Sequence, residues 1–214
     1  MFPEASRATG IPATTLRAWV AGQRYRTKDS WTRFAPVLRR PSDDDSRLSF
    51  LNLIEAHVLR ALRQRHAVRL ESIRQAIAIA EREHGIERLL VDPRLKTSAG
   101  KLFLDRYYDL VELTPSQQFA MRVVLERYLE RIEYGPDNLP ARFFPFERIP
   151  DSRTERVISL SPFIAFGKSV VERRGVSTRK IAERLDAGES RESLIDDYEI
   201  TETEFEEAVL YEAA

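Results

Sequence analysis

ASRATGIPATTLRAWVAG, residues 5–22, decides how the rest of the chain is read. Glu4 to Thr9 can form a short helix, Gly10 supplies the permissive backbone of a tight turn, and Ile11 can plug the corner between two helices. Pro12 opens the next helix, where its missing N–H costs no internal hydrogen bond. Along Ala13 to Ala21, Leu16, Trp19 and Val20 share one apolar face, while Thr14, Thr15 and Arg17 share the opposite one. Short hydroxyls and a guanidinium near a helix N-terminus suit phosphates and base edges. The stretch therefore reads as a helix-turn-helix, with an ordinary pair of antiparallel helices as the competing reading.

The continuation favours nucleic acid. Arg24, Tyr25, Arg26, Lys28 and Arg33 follow with almost no acid among them, and an aromatic set among bases suits a sugar-phosphate backbone. Phe34 to Leu38 and Arg47 to Phe50, joined by the turn formers of RRPSDDD (39–45), are expected to make a hairpin wing. FLNLIEAHVLRALRQRH (50–66) and RLESIRQAIAIAEREHG (69–85) then carry apolar residues at helical spacing, with Gly85 as the stop. Together these pieces resemble the winged helix-turn-helix of the MerR family over about residues 4–85. The resemblance rests on TGIPATTLRAWVAG (9–22) and LSFLNLIEAHVLRAL (48–62). It implies a dimeric DNA binder with the TTLR run (14–17) and the wing at the DNA. One departure is a short first helix crowded by Phe2 and Pro3.

Composition narrows the remaining classes. The chain has 214 residues, 43% of them hydrophobic, and no cysteine, so disulfide, thiolate-metal and thiol chemistry are excluded. No apolar run approaches the roughly 20 residues that cross a bilayer, and a soluble, cytoplasmic protein is expected. The zero net charge conceals a polarity. Residues 1–40 hold eight Arg/Lys against two Asp/Glu, net +6, while residues 186–214 hold one Arg against eleven Asp/Glu, net −10. The two ends are expected to meet different partners, a polyanion at one and a basic protein surface at the other.

The middle region, residues 86–156, is expected to be a short β/α packing module. KLFLDRYYDLVEL (101–113) suggests one or two strands, and TPSQQFAMRVVLERYLERIEY (114–134) a helix capped by Thr114 and Pro115. Phe119 to Leu129 is the expected pairing helix of a homodimer. GPDNLPARFFPFERIPDSRTER (135–156), with four prolines, reads as an extended strap that presents arginines, among them Arg148 and Arg153. Further on, Val157 to Leu160 and Phe163 to Phe166 suggest short β runs turning at Gly167. Three helices follow, beginning near Ser177, Ser190 and Thr201, the last with Glu204 at capping-box spacing.

SPFIAFGKSVV (161–171), GVSTRKIAERLDAGES (175–190) and DDYEITETEFEEAVLYEAA (196–214) are similar to the domain-of-unknown-function family four-three-three, known as an antitoxin module beside PIN-type ribonucleases. GKSVVERRG (167–175) departs from that family's usual glycine-proline and Gly-Thr-Arg elements. Joined to the winged N-terminus, the whole chain resembles a VapB-type antitoxin. That resemblance implies three regions: a DNA-binding domain over 1–85, a packing and strap region over 86–156, and an antitoxin-type helical domain over 157–214. The partners it implies are operator DNA, a PIN-type ribonuclease toxin and a second copy of the chain. Acidic helices can cover the basic surface of a ribonuclease, and an arginine can pair with its metal-binding carboxylates. Candidates for that contact are Arg148, Arg153, Arg173, Arg174, Asp196, Asp197, Glu206 and Glu207, with Phe163 and Phe166 as apolar anchors.

The expected fold is mainly α with small β elements, an α+β chain. No enzyme, metal or cofactor is expected, because His57, His66 and His84 have no helical i, i+4 partner and neither a phosphate loop nor a nucleophile motif occurs. The alternative function is a stand-alone MerR-like regulator that senses a small ligand. In that reading Phe103, Tyr107, Tyr108 and Phe119 line a pocket in the middle region, although packing into a core is the commoner use of such residues.

Overall fold

The computed structural model describes residues 2–26, 31–39, 47–63, 70–111, 113–146, 148 and 156–214. They form two compact units, one of residues 1–130 with 134–140 and one of residues 131–133 with 141–214. The fold is mainly helical with small antiparallel sheets. The middle region 86–156 is divided between the units and is not a body of its own.

In the first unit, α1 (Phe2–Thr9) and α2 (Ala13–Ala21) flank the turn at Gly10. Gly10 has a φ of 65°, and a β-carbon there would strike the guanidinium of Arg60, which donates to the Thr9 carbonyl. Ile11, Leu16, Trp19 and Val20 are buried, so the turn has the apolar plug and inner face that the spacing predicts. Next comes α3 (Phe50–Arg63), followed by α4 (Leu70–His84), which stops at Gly85. Helix α3 is buried on nearly every side, including Asn52, Glu55 and His57.

Two expectations for this unit are corrected. The wing is β1 (Gln23–Arg26) paired antiparallel with β2 (Trp31–Phe34), not Phe34–Leu38 with Arg47–Phe50. Phe50 instead begins α3, because Ser49 Oγ accepts from the Asn52 amide (3.1 Å) while Asn52 Oδ1 accepts from the Ser49 amide (3.2 Å), a reciprocal cap. Residues 40–46 lie outside those described. KLFLDRYYDLVEL is not strand but part of α5 (Ser98–Val111). Its Phe103, Leu104, Tyr107 and Tyr108 recur at i, i+1, i+4 and i+5, and all four are buried, a helical stripe packed chiefly against α4. Helix α6 (Pro115–Leu129) has the expected Thr114 cap with Pro115 in its first turn, and Gln117 completes a capping box.

The second sheet has the order β3 (Ile132–Tyr134), β4 (Pro140–Phe143), β5 (Ile158–Ser161), β6 (Ile164–Val171) and β7 (Val176–Ser177). The expected free strap therefore supplies a strand, and Phe143 and Phe144 are core residues. Apolar burial outweighs the proline content there, and a proline at the first position of a strand removes little from the ladder. Chain reversal between β5 and β6 falls at Pro162 and Phe163, not at Gly167. Helices α7 (Thr178–Asp186), α8 (Arg191–Tyr198) and α9 (Glu202–Ala213) close one core with the sheet, built from Val157, Ile158, Val171, Ile181, Leu194 and Phe205 among others.

Gly100, in the first turn of α5, packs so closely on the preceding 3-10 turn (Pro93–Lys96) that a β-carbon would collide with the Leu95 carbonyl oxygen. Gly100→Ala is expected to destabilise the first unit by about 1–3 kcal/mol through this backbone clash. A thermal melt checks it, and an unchanged midpoint contradicts the packing.

Candidate nucleic-acid and partner-binding surfaces

On the first unit, the outer face of α2 presents Thr14 and Arg17 to solvent, with Thr15 half-buried beside them. The guanidinium of Arg17 lies 5.2 Å from the centre of the Phe2 ring, so the residue that crowds the first helix also positions the cation. Pro12 at the helix entry makes no side-chain cap, and the first turn of α2 holds no acid. Its leading amides are therefore open to an anion. In the wing, Arg24 pairs with Arg33 in the ladder and Tyr25 with Thr32, while Arg26 and Trp31 are exposed partners at the hairpin end. Lys28 lies outside the described residues. Thus Thr14, Thr15 and Arg17 share one helix face, and Arg24, Tyr25, Arg26 and Arg33 share one hairpin.

A charged network underneath fixes this surface, and sequence reasoning missed it. Arg88 makes two bonds to Glu55, at 2.8 and 2.6 Å, and Asn52 donates to Glu55 (3.0 Å) and to the Arg39 carbonyl (2.6 Å). Arg39 donates to Glu81 (3.0 Å), which also accepts from the Leu89 amide (3.0 Å). Burial raises the Glu81 carboxyl above the usual value despite the Leu89 amide and Arg39. The available signal is an acid, Glu55, inside an otherwise apolar helical run, which demands a buried partner.

Two cavities in this unit, of about 420 and 460 Å³, bear on ligand sensing. The smaller is lined by Arg39, Glu55, Glu81 and Arg88, which satisfy one another, and the larger by Leu95, Lys101, Leu104, Arg122 and Leu125. Neither is lined by Phe103, Tyr107, Tyr108 or Phe119. The first three are core side chains, whereas Phe119 is 71% exposed.

On the second unit, two of the four candidate cations, Arg173 and Arg174, are bound to the unit's own acids. Arg173 makes a two-pronged pair with Glu204 (2.8 and 2.7 Å), and Arg174 bonds Glu199. Arg184 pairs with Glu189 and Asp197, and Arg191 with Glu202 and Glu206. The Arg148 amide donates to Glu207 (2.6 Å), and its guanidinium lies over the Tyr211 ring. Arg153 lies outside the described residues. Glu207 is buried, so it is a structural acceptor and not the solvent-facing steering charge expected from the sequence. Asp196 and Asp197 are exposed, as is Phe163, and Phe166 is completely so. Among the described residues, no group of three or more His, Asp or Glu side chains could hold a metal ion, and no helix is long and apolar enough to cross a membrane.

Burial pushes the Glu204 carboxyl up, but Arg173 and the Thr201 amide (2.7 Å) together hold it below its usual value of 4.5. A depressed acid contributes stability above its unfolded pKa and loses it as pH falls through the folded value. Glu204→Gln is expected to cost about 1–2 kcal/mol at neutral pH, a figure reduced by the exposure of Arg173, and to flatten the decline of the melting midpoint in acid. Melting series on both proteins check this, and parallel acid profiles contradict it.

Residues 2–77 match the family described as "Putative DNA-binding HTH domain", and residues 158–211 match "Protein of unknown function (DUF433)". "Putative antitoxin VapB45" of Mycobacterium tuberculosis (strain ATCC 25618 / H37Rv) is 27% identical over 221 residues, covering 96% of this chain and 90% of that protein. The crystal structure of Rv2018 from Mycobacterium tuberculosis superposes with a TM-score of 0.69 at 23% identity, over 98% of this chain and 96% of that one, and speaks for the fold. The chain is thus similar to a DNA-binding helix-turn-helix family at its N-terminus, to DUF433 at its C-terminus, and to an antitoxin along almost its whole length.

Proposed function

We propose that this chain is the antitoxin of a type II toxin-antitoxin pair. Its first unit binds operator DNA for autoregulation, and its second unit binds and inhibits a PIN-type ribonuclease in the cytoplasm. One observation carries the reading: a helix-turn-helix unit is joined to a unit of opposite charge in a chain similar throughout to an antitoxin. The second unit holds twelve Arg/Lys against seventeen Asp/Glu, net −5, which leaves the first unit with 22 against 17, net +5. Phosphates attract the first and repel the second, while a basic RNA-binding surface does the reverse.

In this reading Thr14, Thr15 and Arg17 approach DNA at the open start of α2. Arg24, Tyr25, Arg26, Lys28 and Arg33 follow the backbone from the wing. Arg24 and Arg33 are register partners in that hairpin. At the toxin, Asp196, Asp197 and Glu206 steer the encounter. Arg173 and Arg174 shape that surface by orienting Glu204 and Glu199 and are not inserted cations, since insertion would strip buried Glu204 of its partner. Inhibition is by occupancy, and no cofactor or catalytic step belongs to the proposal. Toxin occupancy changes affinity for DNA and so couples inhibition to repression.

A homodimer places two α2 helices on a two-fold operator. Helix α6 is apolar on two faces. Met121, Leu125, Tyr128 and Leu129 are buried within the chain, while Phe119 and Val123, the latter 47% exposed, face outward as the pairing surface. Phe119→Glu is expected to convert a dimer to a monomer in sedimentation at micromolar concentration, and a native monomer that binds one half-site tightly contradicts the pairing.

The functional test measures RNA cleavage by the PIN-type ribonuclease of the proposed pair, in magnesium or manganese, with the full-length protein added. Stoichiometric inhibition is expected, and full activity in excess protein overturns the proposal. On operator DNA, Arg17→Ala is expected to weaken binding. Combined Arg24→Ala, Arg26→Ala and Lys28→Ala are expected to lower the salt slope by roughly 1 for each phosphate that is no longer neutralised. Unchanged affinity and slope place the DNA surface elsewhere.

A further inference from the structure

The pairing of β5 with β6 contains an interruption that the fold does not need. Ile158, Ser159 and Leu160 pair with Val171, Val170 and Ser169, but Ser161 pairs with Ile164. Ala165 to Lys168 are therefore bulged out of the ladder. Ala165 and Phe166 hold φ values of 48° and 55°, the left-handed region that costs a residue with a β-carbon free energy, and Gly167 follows at 80°. Nothing in the unit is gained in return, because Phe166 is 100% exposed and Phe163, at the adjoining reversal, is 81% exposed. The core of the unit is complete without either ring. Two large aromatics on one hairpin tip, held out by a strained bulge, form a pre-organised apolar anchor.

We infer that this tip, with Phe163 and Phe166, docks into an apolar pocket on a basic, nucleic-acid-handling protein, the ribonuclease of the antitoxin reading on which this inference rests. Charge selects that occupant. The unit carries a net −5: its Arg173, Arg174, Arg184 and Arg191 are engaged by its own carboxylates, and exposed acids such as Asp186, Glu192 and Asp196 outnumber the exposed lysines, Lys168 on the tip and Lys180. Nucleic acid and a second copy of the same acidic unit are both repelled, whereas a protein with a positive rim around an apolar pocket is attracted. Steering falls to the carboxylates and residence time to the rings.

The experiment uses the full chain and the PIN-type ribonuclease of the proposed pair. Phe166→Ser is expected to weaken binding at least tenfold, and Phe163→Ser with Phe166→Ser about a hundredfold, through faster dissociation, with an unaltered salt slope and an unaltered melting midpoint. Asp196→Lys with Asp197→Lys is expected instead to slow association and change the salt slope. Undiminished affinity in the double phenylalanine variant overturns the docking site and leaves the antitoxin reading standing. Absence of any complex with the native chain overturns both. A native self-association that the double variant abolishes assigns the tip to a second copy and overturns the inference. Should the double variant melt early, hydrogen exchange of residues 163–168 in the native chain decides: protection by the ribonuclease is expected, and none overturns the site.

Discussion

The burial of helix α3 on nearly every side is the constraint around which the first unit is built. A helix in that position cannot leave a polar side chain unpartnered without a penalty of kilocalories, so each one on α3 must be answered by another element. Asn52 reaches the Arg39 carbonyl in the connector after the wing, and Glu55 takes Arg88 beyond α4. His57 donates to the Tyr128 carbonyl of α6 (3.0 Å), and Arg60 to the Thr9 carbonyl at the helix-turn-helix corner. Four ties from one helix thus hold the turn, the connector, the 86–91 segment and α6. The helix-turn-helix corner is held by the Arg60 bond from α3 as well as by the packing of α2 on α1.

The second unit solves a different problem. Its last helices carry a run of acids whose repulsion would oppose folding, and six of the eleven acids of residues 186–214 are paired with four arginines of the same unit. Because exposed pairs of this kind contribute little each, their main effect is to decide which charges remain available. What remains outward is mainly acidic and apolar, with Lys168 and Lys180 also exposed. The two units carry opposite net charges, +5 and −5, which in the proposed reading favours a polyanion at the first and a basic surface at the second.

Local signals are the legible part of the sequence. Gly10, Pro12, the Thr114 and Thr201 caps and the stop at Gly85 are each decided within four residues, and the structure has all of them. Elements decided by distant partners are misread by local rules. Tyr107 and Tyr108 favour strand by intrinsic preference, yet packing against α4 makes them helical. Phe143 reads as part of a strap until Leu160 is supplied as its ladder partner. For the candidate surfaces, the exposed face of α2 follows from periodicity alone, whereas the inward turn of Glu207 and the capture of Arg173 by Glu204 depend on residues up to 59 positions away. The bulge at Ala165 to Lys168 has one local signal, Gly167, while nothing in the sequence marks Ala165 and Phe166 as left-handed.

The central claim is that separate units serve separate partners, and simultaneous occupancy tests it most directly. Operator DNA labelled at one end is saturated with the full-length chain, the ribonuclease of the proposed pair is added, and the mass of the DNA-bound species is measured by sedimentation. The account predicts a heavier ternary complex containing DNA, this chain and the ribonuclease. Release of free DNA in proportion to added ribonuclease, with no ternary species at any ratio, would show that the two partners compete for one surface and would contradict it.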